Sequence, residues 1–148
     1  MKPIGLGAIL MTLPMAAMAG APPAPENGII SLDTSTLTAA ASQEVKSVPF
    51  MIVMEGKGGK AGGVNAFRSK DGRFSAGLSK YDKLTLELKD WPVDEFMYIL
   101  EGQLEIGDTK GNVRSYGPGD AFVMPKGFSG TWRQLTPIRK IAVSYEAQ

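Results

Sequence analysis

From Lys83 to Lys89 the chain alternates without a break. Leu84, Leu86 and Leu88 are apolar, and Lys83, Thr85, Glu87 and Lys89 are polar. A side-chain period of two is that of a β-strand with one face buried. Other strand-length apolar runs flank it: "VPFMIVMEG" (Val48 to Gly56), Phe96 to Leu100, "AFVMP" (Ala121 to Pro125) and "IRKIAVSYE" (Ile138 to Glu146). Turn signals separate them at Asp71-Gly72, "DTKGN" (Asp108 to Asn112) and "GPGD" (Gly117 to Asp120). Asp71-Gly72 centres a hairpin within "NAFRSKDGRFSAGLSKY". "KGGKAGG" (Lys57 to Gly63) reads as a flexible loop, "GIISLDTSTLT" (Gly28 to Thr38) as a strand or arm, and "AAASQEVKS" (Ala39 to Ser47) as a short helical turn. Strands recurring every ten residues or so predict an all-β sandwich or small barrel.

Composition sharpens this picture. The 148 residues suffice for one domain with a real core, and 18 Gly with 10 Pro suit a turn-rich β fold. The formal net charge is +1, with no basic run or stripe, so nucleic acid is not an expected partner. The chain has no Cys and no His. That excludes disulfides, thiol nucleophiles, Cys–zinc sites, imidazole metal ligands and His-based acid–base catalysis. Any catalysis must use carboxylates, Lys, Tyr, Arg, hydroxyls or a bound cofactor, and no cofactor is expected.

The first residues have the form of a secretory signal. Lys2 gives a positive start, Ile4 to Met18 is mostly apolar, and Ala17-Met18-Ala19 fits a small-x-small cleavage pattern. The run is too short and too broken by Gly and Pro to span a membrane. Cleavage after Ala19 is expected, with residues 1–19 as signal peptide, 20–46 as an N-terminal tether or arm and 47–148 as the main domain. A periplasmic or secreted protein without a membrane anchor follows from that reading.

The stretch from Glu95 onward carries a more specific pattern. Glu95 leads Phe96-Met97-Tyr98-Ile99-Leu100-Glu101-Gly102, and Gly119, Pro125 and Gly127 follow at set spacing. This resembles the cupin superfamily over roughly Phe67 to Tyr145. "PKGFSGTW" and "PIRK" look most like the small cupins grouped with the ureidoglycine aminohydrolase cupin domain. The resemblance implies a double-stranded β-helix, that is, a cupin jelly-roll barrel, with a short N-terminal arm and a tendency to homodimerise. It also implies a metal held by histidines and the first-motif glutamate. Here Glu95 is kept and every histidine is missing. The second-motif His position is Gly130 and the Asn position Gln134. The first-motif His positions fall at Lys89 and Trp91, or at Leu88 and Asp90, depending on the gap before Glu95. The second placement turns Leu84, Leu86 and Leu88 inward and buries fewer charges. An oxygen-only site from Asp90, Glu95 and Gln134 is conceivable for a hard cation, but no metal is expected.

Glu95 then needs another reason to sit inside a barrel, since a buried unpaired carboxylate is costly and tends to take up a proton. The expectation is that it faces the cavity, paired with Lys, Arg, Tyr or a ligand, and it is the candidate general acid or base. A solvated place at the barrel mouth is the plain alternative. Asp90, Trp91, Trp132 and Gln134 join Glu95 as candidate ligand-binding residues, the tryptophans through stacking; both rings serve equally well as core. Three readings remain open: an exported metal-free cupin binding a small polar molecule, a Glu95-based hydrolase, lyase or isomerase acting on a small organic acid or nitrogen compound, and a structural or partner-binding module. A barrel packed solid by Met97, Phe122, Met124 and Trp132 would favour the last.

Overall fold

A computed structural model describes residues 18–20 and 28–147. The rest of the expected signal peptide and the Pro-rich tether lie outside the described residues. Two sheets form. The first runs in the order β1 (Met18–Gly20), β4 (Lys60–Arg68), β5 (Phe74–Tyr81), β12 (Ile138–Tyr145), β7 (Asp94–Glu101) and β10 (Ala121–Met124), with β2 (Ser42–Glu44) also on β4. The second runs β3 (Met51–Glu55), β6 (Thr85–Leu88), β11 (Gly130–Gln134), β8 (Leu104–Asp108) and β9 (Val113–Tyr116). Apart from β4–β5 and β8–β9, neighbours in both sheets are non-consecutive in sequence, the order of a jelly-roll barrel, as the cupin resemblance implied. Among the described strands only β1 on β4 is parallel.

Alternation decides which side chains meet. Leu84, Leu86 and Leu88 leading into and along β6 are buried, while Thr85 and Glu87 are only partly so. The inner faces of the two sheets close on one cluster that includes these leucines with Met51, Met97, Ile99, Leu104, Trp91 and Trp132. A buried aliphatic or aromatic side chain of this size contributes about 1.5–3 kcal/mol, so this cluster is what holds the sheets face to face. A smaller cluster lies on the outside of the first sheet, where Leu37 and Ala40 cover Val64 and Leu78.

Two local expectations are corrected. The loop assigned to Lys57 to Gly63 ends early, because β4 starts at Lys60. Gly62 is there for close approach: a Cβ on it would lie 2.5 Å from the Ala41 carbonyl oxygen of the chain leading into β2. The helical turn falls not on 39–47 but on α1 (Thr36–Ala39). Asp33 starts it by accepting the Ser35 N–H on its carboxylate, and Leu37 anchors it. The segment expected to be helical supplies β2 instead.

Candidate functional site

The site is built on three strands of the first sheet. Glu95 is the second residue of β7, and with Met97 and Ile99 it points into the barrel by strand parity. On β12 the inward set is Ile138, Lys140, Ala142 and Ser144. The register places Ser144 directly across from Glu95, with Ala142 opposite Met97 and Lys140 opposite Ile99. Ala142 also faces Gly77 of β5. Small residues at these two middle positions leave room for the long Lys140 side chain to lean along the sheet. Its Nζ donates a hydrogen bond to Glu95 Oε1 at 3.3 Å. Both side chains are 0 % exposed.

Polar groups continue around the pair. Ser75 and Ser144 share a buried hydrogen bond of 2.8 Å. Tyr81 is buried on β5, and the Lys140 ammonium lies 6.0 Å from the centre of its ring. Among the described residues, four buried polar atoms lack a partner in hydrogen-bond geometry: Glu95 Oε2, Trp91 Nε1, Ser79 Oγ and Asn65 Oδ1. Trp91 lies close enough to lower the pKa of Glu95 without completing that bond. Buried polar groups are nearly always hydrogen-bonded, so four orphans on the inner faces of neighbouring elements are unusual. Lys140 has spent one of its three N–H donors on Glu95.

Burial pushes the Glu95 carboxyl above its ordinary value, and Lys140 and then Trp91 pull it part of the way back. Burial and the charge of Glu95 push the Tyr81 phenol up as well. The stability consequence has a definite sign. A group whose folded pKa is raised stabilises the fold fully below its unfolded pKa, here 4.5. That contribution disappears as pH rises through the folded value. Thermal unfolding from pH 4 upward is therefore expected to show the wild type losing stability relative to Glu95→Gln. A flat difference between the two would mean that Glu95 titrates in the fold as it does in the unfolded chain.

The other candidate residues divide. Gln134 points inward, but its amide is engaged: Oε1 accepts from Trp132 Nε1 at 3.3 Å and Nε2 donates to the Asp82 carbonyl at 3.1 Å. Its hydrogen bonds do not include Glu95. Trp132 is fully buried with its ring 6.1 Å from that of Phe122, and Trp91 is fully buried edge-on to Phe50 at 5.7 Å. Neither ring is displayed at a mouth. Trp91 reaches the site through its indole N–H rather than its face. Asp90 is exposed at a φ of 50°, and its backbone N–H donates to Ser129 Oγ. Lys140 was missed by sequence reasoning. Its signal was present in the alternation Ile138, Lys140, Ala142, Ser144, where a lysine stands in an otherwise apolar or small inward series.

The metal implied by the cupin resemblance does not fit this donor set. Leu88 is core, Asp90 is outside, and Lys89 is exposed and paired with Glu87 at 3.3 Å. Gly130 has no side chain, and a Cβ there would meet the Gly107 carbonyl oxygen at 2.1 Å. The ammonium of Lys140 already stands against the one remaining carboxylate. Among the described residues no three Asp or Glu side chains gather into a cation cage.

A family model described as the EutQ-like cupin domain matches residues 68–142. No curated protein matches the chain in sequence. The EutQ protein of Clostridium difficile shares 23 % identity at a TM-score of 0.52, covering 61 % of this chain and 71 % of its own. A protein of unknown function from Pseudomonas syringae is 16 % identical at 0.59, covering 71 % of this chain and 44 % of its own. A cupin superfamily protein from Desulfitobacterium hafniense is 14 % identical at 0.50, covering 59 % and 78 %. These structures agree with the jelly-roll topology, and the matched segment contains Glu95, Lys140, all of β5 and β7, and β12 as far as Ala142: the chain belongs to the cupins with an EutQ-like cupin domain.

Proposed function

We propose that this cupin binds a small polar molecule inside the barrel, against Glu95 and Lys140. The observation that carries the reading is the fully buried ion pair with unspent hydrogen-bonding capacity on both partners. Desolvating two charges is expensive and is often no better for stability than an apolar pair. A ligand presenting a donor to Glu95 Oε2 and an acceptor to Lys140 Nζ and Trp91 Nε1 would satisfy three groups at once. Amides and carboxylic acids have that arrangement. Met97, Met124 and Trp132 fill the rest of the interior, as a structural module would have it, so a ligand at the pair has to enter by displacing packed side chains.

The raised pKa of Glu95 favours a second reading, in which it acts as general acid or base on the bound molecule. The finer kinship with the ureidoglycine aminohydrolase group would make that molecule a nitrogen compound; it rests on "PKGFSGTW" and "PIRK" alone. Native mass spectrometry with elemental analysis tests the binding reading. The expected result is a small organic molecule retained by the wild type and released by Glu95→Gln. A stoichiometric divalent metal, or equal retention by the variant, would overturn it.

A further inference from the structure

A concave site lies on the open side of the barrel, and neither Glu95 nor Lys140 lines it. The first sheet ends at β10 and the second at β9. Between these two edges runs a groove of about 190 Å³. Its floor is apolar and aromatic: Ile106, Tyr116, Phe122, Met124 and Phe128. The Tyr116 and Phe122 rings are 4.3 Å apart, and Phe122 is backed by the buried Trp132, so the floor is anchored to the core. An apolar cavity of about 150 Å³ suffices for benzene, which sets the size of the occupant at one ring or a short branched chain.

The rim supplies the charge. Arg114 lines the groove, is exposed, and among the described residues has no hydrogen bond or ion pair. By register it stands across from Ile106 and so on the inner face, over the floor. The one acid on the rim, Asp108, is committed to its own turn. Its carboxylate accepts the Lys110 and Asn112 backbone N–H groups at 2.8 and 2.9 Å and the Asn112 side-chain amide at 2.7 Å. It makes no ion pair with Arg114. A planar guanidinium with its donors free, above an aromatic floor of single-ring size, is suited to a carboxylate carried on an apolar body.

We propose that the groove between β9 and β10 binds a small apolar carboxylate, its ring or chain on Phe122 and Tyr116 and its charge on Arg114. Nothing in this depends on what Glu95 and Lys140 hold. The test is a titration of the full chain with benzoate, followed by amide and arginine side-chain NMR shifts, with benzylamine as the cationic control. Saturable shifts confined to β8, β9, β10 and the loop to Phe128 are expected with benzoate and not with benzylamine. Arg114→Gln, a change at an exposed side chain, should weaken benzoate about tenfold or more, the usual effect of losing a charged hydrogen-bond partner. Glu95→Gln should leave benzoate affinity unchanged, which separates this site from the interior one. Linear, unsaturated shifts at millimolar benzoate, equal binding of benzylamine, or undiminished binding by Arg114→Gln would each overturn the proposal.

Discussion

Lys140→Met is expected to cost about 3–5 kcal/mol of stability at pH 7, because it strands a fully buried carboxylate without its cation. In a domain of this size that is a fall in Tm on the order of 10 °C. The loss should shrink as pH falls, since a protonated Glu95 no longer needs the ammonium. The informative comparison is the double variant Glu95→Leu with Lys140→Met. Removing both charges at once and refilling with apolar volume is expected to return stability to within about 1 kcal/mol of the wild type, or to exceed it. Chemical denaturation of the four proteins gives the coupling energy directly. A double variant as unstable as Lys140→Met would show that the pair is a structural necessity. Recovery of stability with loss of the retained molecule would show that the charges are kept for binding.

The second large effect belongs to the core. Trp132→Ala should cost about 3–5 kcal/mol. The ring is 0 % exposed, backs the Phe122 ring, and its N–H satisfies Gln134 Oε1. Truncation leaves a cavity and an unpaired amide oxygen together. Urea unfolding measures it. A loss under about 1 kcal/mol would mean that the two sheets do not rely on Trp132, and would reopen the reading of this ring as a ligand platform.

Charge in the interior shows how far the primary structure could be read. Glu95 stood out because a carboxylate at the head of an apolar strand is costly wherever it is buried. Lys140 stood out less, because the alternation that puts it on one face with Ile138, Ala142 and Ser144 sets Ile141 and Val143 on the other, and the register of β12 against β7 decides which face is inward. Trp91 and Trp132 were ambiguous for a different reason. A large aromatic ring has the same sequence appearance whether it fills a core or a mouth, and only the neighbouring Phe50 and Phe122 decide it. Gln134 was legible as a candidate from its second-motif position, yet its bond to the Asp82 carbonyl depends on a segment brought in from elsewhere in the chain.

By itself the order of residues determined the all-β class, the strand and turn rhythm, the inward set Leu84, Leu86 and Leu88, the absence of histidine and thiol chemistry, and the singular position of Glu95. These are local properties, fixed by a side-chain period of two and by which chemical groups exist at all. Tertiary structure alone decided that Lys140 is the partner of Glu95, that Gly62 of β4 admits the chain before β2, and that Arg114 stands over an aromatic floor. Each of those depends on strand register and sheet order, where a shift of one residue turns every side chain to the opposite face.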